Sequence, residues 1–215
     1  MQHAMFSAAE LSRGDAEALR PFPSEDAFTD YVASCMRQLP GAAAAVMAPH
    51  ELTRLIHGSH ATWPAPCMVV ENEAAMGPAA REVLERLRDL VVRERMLDDI
   101  LPAAGGEAPR FAGASMSIGT HVPFRRDASA LDSGAAAAAR ATVFFCLGVL
   151  RVLSFCALRR ASEEELMQVQ MRQRHGDAVV LRGDITRRCE HGALNLNIVV
   201  AEFELRYEMP TGSAA

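Results

Sequence analysis

Two segments in the first half of the chain show the apolar spacing of amphipathic helices. In residues 25–39, apolar side chains recur every three or four positions, and the segment stops at Pro40 and Gly41. In residues 79–101, a second apolar stripe runs along one side of a strongly charged segment. Such a stripe must pack against a core or a partner. The pattern therefore predicts two amphipathic helices.

A third apolar segment lacks this one-sided pattern. Residues 135–159 are apolar nearly all round a helical wheel, with Arg140, Arg151 and Ser154 confined to one narrow sector. A helix of that kind is buried on most of its sides. We therefore expect a long buried helix over residues 135–159.

The C-terminal part changes to a period of two. Met167, Val169 and Met171 alternate with polar residues, the next alternating run covers residues 179–186, and a last strand covers residues 193–209. Turns are predicted at residues 175–177 and 190–192, and the alternation changes phase near Ala201, as a β-bulge would cause. The pattern predicts an antiparallel meander.

The predicted architecture is of the α+β class: the long buried helix packs on the antiparallel C-terminal meander, with additional helices ahead of it. Short strands are expected at residues 67–70 and 111–118. We divide the chain into an N-terminal helical segment (1–41), an α+β domain (42–209) and a tail (210–215). Over residues 111–209, the order of strand, long helix and meander resembles that of hot-dog folds.

The amino-acid composition excludes some classes of enzyme chemistry. The chain has 215 residues, half of them apolar, and all 22 of its basic residues are arginines. Without lysine it has no Walker-loop amine and no internal Schiff-base amine. A GC-rich genome explains this bias; protection from ubiquitin transfer is the alternative explanation. The GC-rich, lysine-free character also suits an accessory protein of a large DNA virus.

Charge and cysteine usage bear on location and partners. The net charge of −5 does not favour binding to nucleic acid or anionic lipid, and the arginines of residues 151–188 lack interleaved aromatic side chains. Five scattered cysteines without a CxxC pair indicate a reducing compartment, the cytoplasm or the nucleus. The most apolar stretch, residues 141–158, is interrupted by Arg151, so no membrane span is expected.

The loop after the strand at residues 111–118 carries the candidate catalytic residues. His121 is placed to act as a general base, with Asp127 setting its tautomer. A surface loop is the default interpretation of this segment, and catalysis at His121 is the alternative. Hot-dog thioesterases and dehydratases take active-site residues from this position in the chain, and the resemblance implies chemistry on an acyl thioester here.

Other reactive residues favour structural roles. His50, His57, His60 and Cys67 match no zinc-ligand spacing, so no metal or other cofactor is expected. Arg151, a charge in an apolar segment, needs a buried ion-pair partner, although an anion-binding role is the alternative. Cys189 and His191 flank a predicted turn, and nucleophilic chemistry is not expected there.

These observations favour a non-catalytic interaction or structural accessory protein. Apolar faces are abundant, and no convergent set of reactive side chains is evident. The expected partner is another protein or a second copy of the chain, through the sheet edge or the amphipathic helices. The alternative is a hot-dog-like thioesterase or dehydratase acting through His121.

Overall fold

The computed structural model describes residues 22–48, 51, 55, 67–98, 108–119, 121–125, 140–148, 150–158, 166–195 and 200–208. The helices in these ranges are α1 (Glu25–Ser34), α2 (Pro78–Arg93) and the short α3 (Gly183–Arg188). The strands are β1 (Met36–Leu39), β2 (Cys67–Val70), β3 (Arg110–Gly119), β4 (His121–Arg125), β5 (Arg140–Leu147), β6 (Leu150–Leu158), β7 (Leu166–Arg174), β8 (Ala178–Arg182), β9 (Glu190–Asn195) and β10 (Val200–Glu208).

The strands form two antiparallel sheets. One has six strands in the order β1-β8-β5-β10-β3-β2, and the other has four in the order β4-β9-β6-β7. From β3 to β10 the chain passes repeatedly between the sheets, so neighbours in the sequence are seldom neighbours in a sheet. This arrangement is a jelly roll, in which two sheets enclose a common interior.

The predicted α+β fold with a long buried helix is wrong. Residues 140–147 and 150–158, expected to be one helix, are the strands β5 and β6, with Gly148 between them. Both faces of β5 are buried, one under α2 and the other between the sheets. A strand buried on both faces reads as a continuous apolar run, which periodicity cannot distinguish from a buried helix.

The predicted meander is also wrong, although two of its strands exist. β7 pairs with β6, whereas β8 pairs with β5 and β1, so the turn at residues 175–177 joins the two sheets. Residues 183–188, expected to be strand, form α3. The expected turn at residues 190–192 lies within β9, and the expected single last strand is divided between β9 and β10.

Two apolar clusters hold the layers together. The first packs α2 against the outer face of the six-stranded sheet, through side chains such as Leu84, Leu87 and Phe203. The second lies between the sheets and includes Phe144, Phe155 and, from α1, Phe28. α1 therefore packs against the interior of the jelly roll. The predicted helices are confirmed here, with earlier C-terminal ends than expected.

None of the helices in the described ranges has the length and apolar character that a membrane crossing needs.

Candidate functional site

The inner face of the four-stranded sheet is defined by alternate residues of β6 and β9. Arg151, Leu153 and Phe155 of β6 lie opposite positions 195, 193 and 191 of β9. Leu153 and Phe155 belong to the cluster between the sheets. Because cross-strand partners share a face, His191 and Ala193 also lie on this inner face.

His191 is the reactive side chain at one end of this face. It is 4% exposed, and its ring centroid lies 5.5 Å from that of Phe144 and 6.5 Å from that of Phe155. Aromatic side chains from both sheets therefore flank the imidazole. An imidazole can act as an acid, a base or a metal ligand.

Arg151 lies at the other end, inside an ion pair. Its Nη1 donates to the Glu202 carboxylate, and its Nε donates to Gln173 Oε1 at 2.6 Å. The three residues are 1%, 3% and 1% exposed, respectively. Each comes from a different strand, namely β6, β10 and β7. The structural ion pair predicted for Arg151 is confirmed.

This cluster keeps donors that the described residues do not satisfy. Arg151 Nη2 and Gln173 Nε2 are buried and have no hydrogen-bond partner in the described part of the chain, and the same holds for Ser117 Oγ. Ser117 is the cross-strand partner of Glu202 in β3. Buried polar groups are nearly always paired, so such donors are suited to a ligand that presents an oxygen atom.

The neighbouring thiol is not activated for nucleophilic chemistry. Burial raises the pKa of Cys146 to about 11, while Arg151 lowers it and Glu202 raises it. A thiol with a raised pKa stays protonated near neutral pH, and the thiolate is the nucleophile. Cys189, which flanked the predicted turn, is fully buried.

Of the two predicted catalytic residues, the structure describes only the backbone of His121. His121 is the first residue of β4 and pairs with Leu194, whereas Arg125 at the other end of β4 pairs with His191. The side chain of His121 and all of Asp127 lie outside the described part. The pairing puts position 121 out of phase with the inner-face positions 191 and 193.

The histidines considered as metal ligands are not part of the described structure. His50, His57 and His60 fall outside the described residues, and Cys67 begins β2, where its side chain is not described. The described side chains include no group of three or more that could hold a metal ion.

No protein-family model matches the chain, and a search of curated proteins finds no match. Solved structures do match it. HygX from Streptomyces hygroscopicus, with nickel and 2-oxoglutarate bound, has a TM-score of 0.52 and 11% identity and covers 94% of this chain and 88% of its own. The non-heme alpha-ketoglutarate-dependent epimerase SnoN of nogalamycin biosynthesis has a TM-score of 0.50 and 16% identity, with 88% of each chain covered.

The fold of this chain is the fold of these oxygenases. An oxidoreductase of the 2OG-Fe(II) oxygenase family from Burkholderia pseudomallei agrees, with a TM-score of 0.50, 15% identity and 84% and 89% of the two chains covered. SnoN is an epimerase and the Burkholderia pseudomallei protein is an oxidoreductase, and a jelly roll is not a hot-dog fold. The predictions of a non-catalytic accessory protein and of a hot-dog thioesterase or dehydratase are therefore wrong.

Sequence reasoning missed His191 and the partners of Arg151. His191 was assigned to a turn, although it continues the alternation of Ala193 into the start of β9. That alternation was the available signal. Gln173 and Glu202 lie 22 and 51 residues from Arg151, and only the sheet pairing shows that they meet.

Proposed function

We propose that this chain is an enzyme of the metal-dependent oxygenase type, with its active site between the two sheets. The supporting observation is that His191 and Arg151 lie on one inner face. His191 pairs with Phe155, which is four residues from Arg151 along β6. That spacing is about 13 Å along a strand. A small organic molecule lying along this face would have one end beside His191 and the other beside the donors of Arg151.

The residues at the His191 end fit part of a metal centre. Iron oxygenases of this type use two histidines and one carboxylate. His191 would supply one imidazole, and Asp127, two residues beyond the cross-strand partner of His191, would supply the carboxylate. Arg125 is that cross-strand partner, and a guanidinium, which stays protonated, cannot ligate. An iron ion held there would supply the activation of dioxygen.

The remaining residues of the site would bind and orient the small molecule. The donors of Arg151 Nη2 and Gln173 Nε2 would hold an oxygen atom of the bound molecule, and Leu153 and Ala193 would form the apolar wall between the two ends. The rings of Phe144 and Phe155 would keep bulk water from the imidazole.

Nickel binding tests this proposal. We expect His191→Asn to lower the Ni(II) affinity, measured by calorimetry, by about tenfold or more, because it removes a ligand. His175→Asn, which removes an imidazole outside the site, should leave the affinity unchanged. No nickel binding by the unmodified chain, or equal affinity after His191→Asn, would contradict the proposal.

A further inference from the structure

The Arg151–Glu202 ion pair determines whether a charged or an uncharged group of a ligand binds more favourably at this end of the interior. We propose that Glu202 is a specificity residue: by neutralising Arg151, it makes this end of the site select an uncharged carbonyl oxygen over a carboxylate. This inference rests on the proposed function, because it assumes that a small molecule lies between the sheets.

The charge balance of the cluster is already complete without a ligand. The side chains of Arg151 and Glu202 are 0% and 4% exposed and form a direct ion pair. One positive and one negative charge sum to zero. Besides Ser117 Oγ, the donors left over are one guanidinium nitrogen and the amide nitrogen of Gln173, and both nitrogens can bind an oxygen atom whether or not it is charged.

The effect of both charges is visible at a third residue. Cys146 is the cross-strand partner of Glu202 in β5. Arg151 lowers the pKa of its thiol and Glu202 raises it, after the larger effect of burial. The two charges of the ion pair therefore act on this neighbour in opposite directions.

Two further carboxylates, those of Glu204 and Asp177, are described near the cluster. Glu204 follows Glu202 on the same face of β10, where its Oε2 accepts a hydrogen bond from Ser115 Oγ at 3.2 Å. Asp177 also raises the pKa of Cys146. An additional buried carboxylate would have no cation of its own among these residues, and burying an uncompensated charge is unfavourable. A ketone or amide oxygen needs only the two donors.

Two ligands that differ only in this charge test the proposal. 2-Oxoglutarate carries a carboxylate at its far end, and 2,5-dioxohexanoate carries a methyl ketone of nearly the same shape there. Binding of each is measured by calorimetry with Ni(II) present. We expect the unmodified chain to bind 2,5-dioxohexanoate at least about tenfold more tightly than 2-oxoglutarate, because only the latter buries an unbalanced charge.

The variant Glu202→Gln keeps the side-chain shape and removes the negative charge. It should reverse the preference, so that 2-oxoglutarate binds more tightly by about tenfold, since Arg151 then has an uncompensated charge. Glu208→Gln at the other end of β10, where Glu208 pairs with Arg140 on the surface side, should keep the preference of the unmodified chain.

The outcomes separate the two proposals. If the unmodified chain prefers 2-oxoglutarate, the specificity role of Glu202 is overturned and the proposed function stands. If neither ligand binds to the unmodified chain or to Glu202→Gln while both remain folded by circular dichroism, the small-molecule site itself is overturned. The comparison in the unmodified chain needs no substitution, so it decides the matter even if Glu202→Gln does not fold.

Discussion

The turn between β7 and β8 shows how single residues fix a loop. His175 Nδ1 accepts a hydrogen bond from the N–H of Gly148, and its Nε2 donates to the carbonyl oxygen of Met47, both at 3.1 Å. Asp177 accepts from the N–H of Gly41 at 2.8 Å. Gly176, between them, has a φ of +81°. Three consecutive residues therefore attach the segment after β1 to the jelly roll.

Gly176→Ala should destabilise the protein by about 2–3 kcal/mol, because an added Cβ would strain a positive φ and press on neighbouring backbone. That Cβ would lie 2.5 Å from the backbone of Ala44. Urea unfolding measures the change. Gly77→Ala is the matched control, since its Cβ would meet nothing within 4 Å. Equal effects of the two substitutions would show that the close approach to Ala44 is unimportant.

At the scale of elements, α2 is bound to the six-stranded sheet by one apolar face. Leu87 is fully buried on that face, whereas Val92 is 74% exposed. Leu87→Ala should lower the free energy of unfolding by about 2–5 kcal/mol, because it leaves a cavity in the first apolar cluster. Val92→Ala should change it by less than about 0.5 kcal/mol. A similar loss from both would mean that α2 contributes little through its buried face.

The elements that the sequence predicts well are those with one exposed face. α1 and α2 follow from their own spacing, because a solvent-exposed side leaves polar residues at regular positions. β5 and β6 lack such a side over most of their length, and their apolar runs gave a false helix. The local pattern also does not show which strands pair with each other. β10 pairs with β3, which lies about 90 residues earlier in the chain.

The candidate site was predictable only in part. The burial of Arg151 beside a counter-charge follows from its apolar surroundings, and the structure confirms it. The identity of the counter-charge, Glu202, depends on which strands face each other. The catalytic prediction for His121 rests on its position after a strand and stays a prediction, whereas the inner-face position of His191 is evident only from the strand register.

Across the molecule, the four cysteines whose side chains the structure describes are buried. Burial raises the pKa of Cys146 and of Cys156 to about 11, compared with about 8.5 for an exposed thiol. Between about pH 9 and 11 the unfolded chain therefore loses these protons while the folded chain keeps them, so the folded state is destabilised as the pH rises.

When the pH rises from 8.5 to 10.5, we expect the ionisation of Cys146 alone to lower the free energy of unfolding by about 2 kcal/mol. Urea unfolding at the two pH values measures this fall. Cys146→Ala should make the fall smaller, because the substituted side chain does not ionise. An unchanged fall in Cys146→Ala would show that the thiol is not the group responsible.

The position of β10 has a consequence for biosynthesis. It lies between β5 and β3 in the six-stranded sheet, yet it is the last strand of the described chain. While a ribosome is still making the protein, β3 and β5 have no strand to join them. A nascent chain stalled before Val200 should therefore be digested rapidly by protease, whereas release of the finished chain should bring protection in a single step.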